Sequence, residues 1–81
     1  MAQRVTDDII QSLEDIKEEN GVSRSLIARL DEIKRVLSED IDIELRIDRV
    51  RSILDDLEST NNIPNYIRTQ LWNVAAMLEK L

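Results

Sequence analysis

The sequence predicts an all-α fold, an antiparallel four-helix bundle built from two similar α-hairpins, and three observations support this. Leu, Ile and Val recur at steps of three and four residues in four separate segments, which places them on one stripe of a helix in each. The chain has 1 Gly, 1 Pro and 2% aromatic residues, a composition that favours packed amphipathic helices over a sheet. The connections between the segments are short, so consecutive helices are expected to run antiparallel.

Four apolar stripes locate the helices. They consist of Val5, Ile9, Leu13 and Ile16; of Leu26, Leu30, Ile33 and Leu37; of Ile43, Ile47, Val50, Leu54 and Leu57; and of Ile67, Leu71, Val74, Leu78 and Leu81. With their flanking residues, the predicted helices span roughly 5–19, 23–38, 42–59 and 64–80. We expect one helical domain over residues 1–81, with hairpins over roughly 5–38 and 42–80.

Helix ends are predicted from residues that favour capping or termination. The candidates are Thr6 as N-cap of the first helix, Gly21 as its C-terminal stop, Ser23 at the start of the second, Asp40 or Asp42 as N-cap of the third, and Pro64 in the first turn of the fourth. Gly tolerates a positive φ, and Pro lacks only an N–H that has no partner in a first turn.

The chain aligns with itself at an offset of 41 residues. Matched pairs include Leu13 with Leu54, Asp15 with Asp56, Asn20 with Asn61, Leu30 with Leu71, and Leu37 with Leu78. Two unrelated amphipathic hairpins would also align through their Leu and Ile periods, but the coincidence of the turns favours a duplication. A period near 40 is typical of HEAT-like α-hairpin repeats, so we predict a HEAT-like repeat pair.

Composition argues against several function classes. Without Cys or His, the chain cannot form disulfides, the common zinc sites or a Ser-His-Asp triad. A net charge of −6 opposes binding to phosphate backbones. There is no run of about 18 apolar residues and no signal-peptide core. We therefore expect a cytoplasmic, non-enzymatic protein without cofactor or metal, without an identifiable small-molecule substrate, and without affinity for nucleic acid or membranes.

Two acidic clusters offer an alternative to that expectation. Glu14, Asp15, Glu18 and Glu19 lie on the outer side of the first helix, and Asp55, Asp56 and Glu58 lie on the third. Carboxylate oxygens are ligands that calcium and magnesium accept, so these clusters could bind a divalent cation. The simpler interpretation is a solvated, salt-bridged helix surface, because the chain has no twelve-residue calcium loop.

The last helix differs from the others in charge. Between Asn61 and Leu78 the only charged side chain is Arg68, although 35% of the chain is charged. Interface cores are depleted of charge and enriched in aromatic residues. We predict an interface formed by Tyr66, Thr69, Trp72, Asn73 and Ala76, covered by a protein partner or, most simply, by a second copy in a homodimer. The alternative is that Trp72 covers the core of its own chain.

Arg68 stands alone among uncharged residues, one position after core residue Ile67. We predict a structural ion pair with Asp15 or Asp56 that fixes how the hairpins dock. A catalytic role is less favoured because no nucleophile or base is identifiable beside it.

The segment "NIPNYIRTQLWNVAAMLEK", with Pro64, Arg68, Trp72 and Asn73, resembles the C-terminal signature of uncharacterised protein family 0147, small proteins of archaea. "SILDDLEST" and "GVSRSLIARLDEI" are similar to that family more loosely. Ser23 stands where members often have Pro. The resemblance implies an all-α cytosolic archaeal protein and supplies no catalytic residue.

Together these patterns favour a small acidic interaction or scaffold protein that self-associates through its last helix. Two alternatives stay open: a regulatory subunit of a larger complex, and a protein that binds a divalent cation through its carboxylates.

Overall fold

Four α-helices account for most of the described chain. The computed structural model describes residues 2–59 and 63–81. The helices are α1 (Ala2–Lys17), α2 (Arg24–Ser38), α3 (Ile43–Glu58) and α4 (Asn65–Leu78). The described residues contain no strand. No helix among them is both long enough and apolar enough to cross a membrane.

The apolar stripes form the core. Every stripe residue is buried or half-buried, and each helix contributes at least three buried side chains. The ten most deeply buried are Ile9, Leu13, Ile16, Leu30, Ile33, Val50, Ile67, Leu71, Val74 and Leu78. All belong to the predicted stripes, so helical spacing alone identified the centre of the core.

The helices pack in a ring. α1 contacts α2 and α4, and α3 also contacts α2 and α4. The diagonal pairs, α1 with α3 and α2 with α4, have no such contact among the described residues. Packing is most extensive between α1 and α4 and between α2 and α3. Each helix therefore directs one stripe inward and leaves an outer surface to solvent or to a partner.

One predicted helix end is confirmed and a second is refined. Ser23 is the N-cap of α2, where its Oγ accepts a hydrogen bond of 3.1 Å from the backbone N–H of Leu26. Gly21 has a φ of 86°, the left-handed region that favours glycine, but α1 already ends at Lys17, so the glycine lies in the turn after the helix and does not end it. A Cβ at Gly21 would lie 3.2 Å from the hydroxyl oxygen of Tyr66, so close packing adds to the need for glycine.

Three other boundary predictions need correction or refinement. Thr6 is not an N-cap, because α1 already begins at Ala2. It lies on the buried side of α1, in step with Ile9, and is 8% exposed. Asp42 occupies the N-cap position of α3 without a capping hydrogen bond from its side chain. Pro64 immediately precedes α4 instead of lying in its first turn.

Equivalent residues of the two halves occupy equivalent burial environments. Leu13 and Leu54 are both buried, as are Leu30 and Leu71. The proposed match of Asn20 with Asn61 lies outside the described residues. The shared burial means that the internal similarity corresponds to shared core positions.

Candidate interaction surface

The outward side of α4 carries all five predicted interface residues. We call this set the α4 outer face: Tyr66, Thr69, Trp72, Asn73 and Ala76. All five are exposed. The buried residues of the helix lie on its opposite side, at helical spacing. The structure thus brings the five residues onto one uncharged surface of a protein whose net charge is −6.

Trp72 dominates this surface. It is 57% exposed, although Trp is highly buried on average. More than half of the residue's surface is accessible, which disfavours the alternative that Trp72 covers the core of its own chain. Leu45 on α3 is exposed to a similar extent, 50%, and provides a natural comparison. Its helix neighbours include Arg49 and Asp48, so it lies in charged surroundings.

The hydroxyl groups of the α4 outer face already have acceptors within the chain. The Tyr66 hydroxyl donates a hydrogen bond to the main-chain oxygen of Asn20, which connects α4 to the turn after α1. The Thr69 hydroxyl donates to the main-chain oxygen of Asn65, at 3.2 Å. A partner that covered this surface would therefore leave neither hydroxyl hydrogen without an acceptor, which keeps the desolvation cost low.

Arg68 connects α4 to the end of α3. Its Nη1 donates a 2.8 Å hydrogen bond to the main-chain oxygen of Glu58, the last residue of α3. A cation is favourable there, because the last carbonyls of a helix carry partial negative charge. The ion pair with Asp15 or Asp56 stays a prediction. Asp56 lies 3.7 Å from the guanidinium of Arg29.

A second arginine connects helices in the same way and was missed in the sequence. Nη1 of Arg46, in the first turn of α3, donates a 3.1 Å hydrogen bond to the main-chain oxygen of Leu37, near the end of α2. Arg46 and Arg68 each follow their acceptor by about ten residues. An arginine soon after a predicted helix end was the signal that could have found both, because it can donate to carbonyls that lack an intrahelical partner.

Charged side chains join α1 to α2. Lys17 Nζ lies 2.7 Å from Asp31 Oδ1 and 3.6 Å from Glu14 Oε2. Lys34 donates a hydrogen bond to Glu14. We call these four residues the α1–α2 ion cluster. They are partly exposed, so their pairing is screened by solvent and salt.

The pKa values of this cluster follow from its pairing. The hydrogen bond from Lys34 lowers the pKa of Glu14, and the hydrogen bond from Lys17 lowers the pKa of Asp31. The hydrogen bond to Asp31 raises the pKa of Lys17. Each shift favours the charged form, so the cluster is ionised at neutral pH.

The acidic clusters do not converge on a common centre. In the described part of the chain, no three carboxylates lie where they could hold a metal ion together. Asp15 Oδ1 accepts a hydrogen bond from Gln11, and Glu14 contacts two lysines. The contact of Asp15 with Gln11 lies within α1, whereas the contact of Glu14 with Lys34 joins α1 to α2.

A polar cleft runs between α1 and α4, beside the α4 outer face. It has a volume of about 200 Å³ and is lined by Ser12, Asp15, Ile16, Gln70 and Asn73. Asn73 belongs to both features, so the two surfaces are continuous. Nothing in the sequence pattern singled out Gln70, because it lies between the buried stripe and the α4 outer face.

Comparison with known proteins agrees with this fold. The model of the Uncharacterised protein family (UPF0147) matches residues 2–81. The UPF0147 protein of Archaeoglobus fulgidus is 27% identical over 81 residues, which cover 100% of this chain and 93% of that protein. The UPF0147 protein of Methanosarcina mazei is 32% identical over 73 residues, 89% of this chain and 78% of that protein.

A solved structure has the same fold. The crystal structure of the unknown function protein MMP1188 superposes with a TM-score of 0.86 at 31% identity, over 95% of this chain and 89% of that one. The family model and the named relatives confirm the resemblance noted from the sequence. The chain belongs to the Uncharacterised protein family UPF0147.

Proposed function

We propose that this protein is a small protein-interaction module that self-associates through the α4 outer face. One observation carries the proposal: Trp72 is 57% exposed at the border of the uncharged α4 outer face, on a protein of net charge −6. Interface cores combine low charge with aromatic residues. Trp is also the residue type most enriched among those that dominate binding energy.

The lack of charge on the α4 outer face favours a second copy as the partner. Two molecules of net charge −6 repel each other wherever their acidic surfaces meet. The α4 outer face brings no like charges into opposition at its centre. In a two-fold symmetric dimer the same patch serves both subunits, so an uncharged patch is complementary to itself.

Interface size requires more than α4 alone. A stable interface buries about 800 Å² per partner, and the whole chain has an accessible surface of 5348 Å². A helix of 14 residues is about 21 Å long. A dimer must therefore also use the flanks of α4, where α1 and α3 lie.

Sedimentation velocity over a concentration series tests the proposal with two matched variants. Trp72→Glu places a charge in the α4 outer face, and Leu45→Glu places the same charge at a similarly exposed apolar residue of α3. We expect dimers for the wild type and for Leu45→Glu, and monomers for Trp72→Glu. Circular dichroism should show folded helices in all three, because both positions are exposed. A monomeric wild type, or equal effects of the two substitutions, would contradict the proposal.

The single Trp gives an independent readout. Burial of Trp72 in a dimer should shift its fluorescence emission to shorter wavelength, and dilution should reverse the shift. Emission typical of exposed Trp at every concentration, in a sample that sedimentation shows to be dimeric, would place the dimer contact elsewhere.

We also infer that the four helices form two antiparallel hairpins. The contacts between α1 and α2 support this, since Lys17 meets Asp31 whereas the earlier Glu14 meets the later Lys34. The hydrogen bond from Tyr66, near the start of α4, to Asn20, after the end of α1, supports an antiparallel course of these two helices. Because the chain has no Cys, introduced pairs are unambiguous. Asp8→Cys with Met77→Cys should form an intramolecular disulfide, and Asp8→Cys with Tyr66→Cys should not.

A further inference from the structure

Gln70, which lines the polar cleft between α1 and α4, has a side-chain acceptor that lacks a donor. Gln70 Nε2 donates to Glu19 Oε1 at 3.4 Å, which directs the amide nitrogen toward α1. Gln70 Oε1 is buried, and no donor within residues 2–59 and 63–81 reaches it. A buried acceptor without a hydrogen bond is costly and uncommon in folded proteins.

The lining of the cleft is rich in acceptors. Asp15 contributes a carboxylate, and beneath the lining lies the buried amide oxygen of Gln70. Ser12 and Asn73 can each accept as well. A lysine ammonium has three donors and no acceptor, and its flexible stem can enter a narrow cleft. The chemistry of the cleft therefore fits a lysine side chain, with the carboxylate supplying the opposite charge.

We infer that Lys80 of a second copy occupies this cleft when the protein self-associates, an inference that rests on the proposed function. Lys80 follows α4 on its outer side and is exposed. Its backbone N–H donates to the main-chain oxygen of Met77, so it continues the helical path by one turn.

Symmetry places the lysine at the cleft. A two-fold axis that lies between the two α4 helices, perpendicular to them and level with Ala76, exchanges positions equally far above and below that residue. Lys80 of the second copy, four residues beyond the axis, then lies level with Trp72. That level falls between Gln70 and Asn73, the two α4 residues that line the cleft. Rotation about this axis leaves the α1 flank of one α4 helix on the same side as the α1 flank of the other. Lys80 of the second copy therefore lies on the α1 side of α4. In a dimer with parallel α4 helices, Lys80 would instead lie opposite Lys80 of the second copy.

Sedimentation of variants with exchanged charges tests the pairing of Asp15 with Lys80 of the second copy. Asp15→Lys and Lys80→Glu each place like charges together and should weaken dimerisation about tenfold. The double variant restores opposite charges and should return the Kd to within about threefold of the wild type. It also keeps the net charge of −6, so its recovery cannot arise from a change in overall charge. Asp55→Lys, on the exposed surface of α3, is the control for the effect of net charge on Asp15→Lys.

The outcomes separate this inference from the proposed function. Dimers that depend on Trp72 but tolerate both single exchanges, or a double variant as weak as the singles, would overturn the lysine pairing alone. A monomeric wild type would overturn both.

Cysteine cross-linking tests the geometry. Ala76→Cys lies beside the proposed axis and should form an intermolecular disulfide under mild oxidation, whereas Thr69→Cys should not. Cross-linking of both variants would indicate parallel α4 helices and would contradict the placement of Lys80.

Discussion

The outward sides of α2 and α4 show how two halves with the same core diverge on their surfaces. Where α2 has Asp31, Glu32, Lys34 and Arg35, the equivalent positions of α4 hold Trp72, Asn73, Ala75 and Ala76. On α2 two of these charges pair with α1, whereas Gln70 of α4 reaches Glu19, just after α1, with an uncharged amide. Core positions are constrained by packing in both halves. The surface positions are not, so they can differ in charge.

The largest effect is expected in the shared core, where the two halves should behave alike. Leu30→Ala and Leu71→Ala each remove a buried side chain and should each cost about 2–5 kcal/mol of unfolding free energy. Chemical denaturation at one protein concentration measures both. A cost below about 1 kcal/mol for one of them would break the equivalence of the two halves as a repeat pair.

The difference in charge between the outer surfaces of α2 and α4 should change the affinity of self-association. Trp72→Asp combined with Ala76→Arg gives α4 the residues that stand at the equivalent positions of α2. We expect the Kd of self-association to rise at least about thirtyfold, since central aromatic residues contribute about 2 kcal/mol or more. Analytical ultracentrifugation measures it. Stability of the monomer should change by less than about 0.5 kcal/mol, because both positions are exposed. Unchanged association would show that the neutral surface is not an interface.

A smaller difference between the two halves lies at Arg68, because the first half has Ile27 at the equivalent position. Arg68→Leu removes the hydrogen bond to Glu58 and should cost about 1 kcal/mol, lowering the Tm by about 4–8 °C. Arg68→Lys keeps a cation near the end of α3 and should cost less. Thermal melts at matched concentration measure both. An unchanged Tm together with an unchanged oligomeric state for Arg68→Leu would contradict the docking role.

The smallest effect is expected from the α1–α2 ion cluster at acid pH. Because the folded pKa values of Glu14 and Asp31 are lowered, their contribution is present above the unfolded values of 4.5 and 3.8 and is lost as the pH falls through the folded values. The wild type should therefore lose more stability between about pH 5 and pH 3 than Glu14→Gln with Asp31→Asn.

Asp48→Asn with Asp55→Asn removes the same number of charges from the exposed side of α3 and serves as the control. Equal acid sensitivity of the cluster variant and the wild type would show that these pairs do not support the α1–α2 contact. High salt should reduce the difference, because the pairs are partly exposed.

Helical spacing in the sequence was sufficient to determine the four helices and the buried stripe of each. Residue type was sufficient for the cap at Ser23 and for the positive φ at Gly21. Local chemistry decides these features, since a helix face follows from residue order and a cap from its nearest neighbours. Thr6 shows the limit of that logic. Its hydroxyl suits a cap, but its position on the apolar side of α1 leads to burial within the helix.

Only the tertiary structure decided how the helices meet. The acceptors of Arg46 and Arg68, the exposure of Trp72 and the unpaired oxygen of Gln70 all depend on the rotation and depth at which neighbouring helices pack. Periodicity describes each helix about its own axis and contains no information on those two quantities. The sequence determined that α4 carries an uncharged surface, and the packing of the four helices decided that this surface, with Trp72 upon it, faces outward.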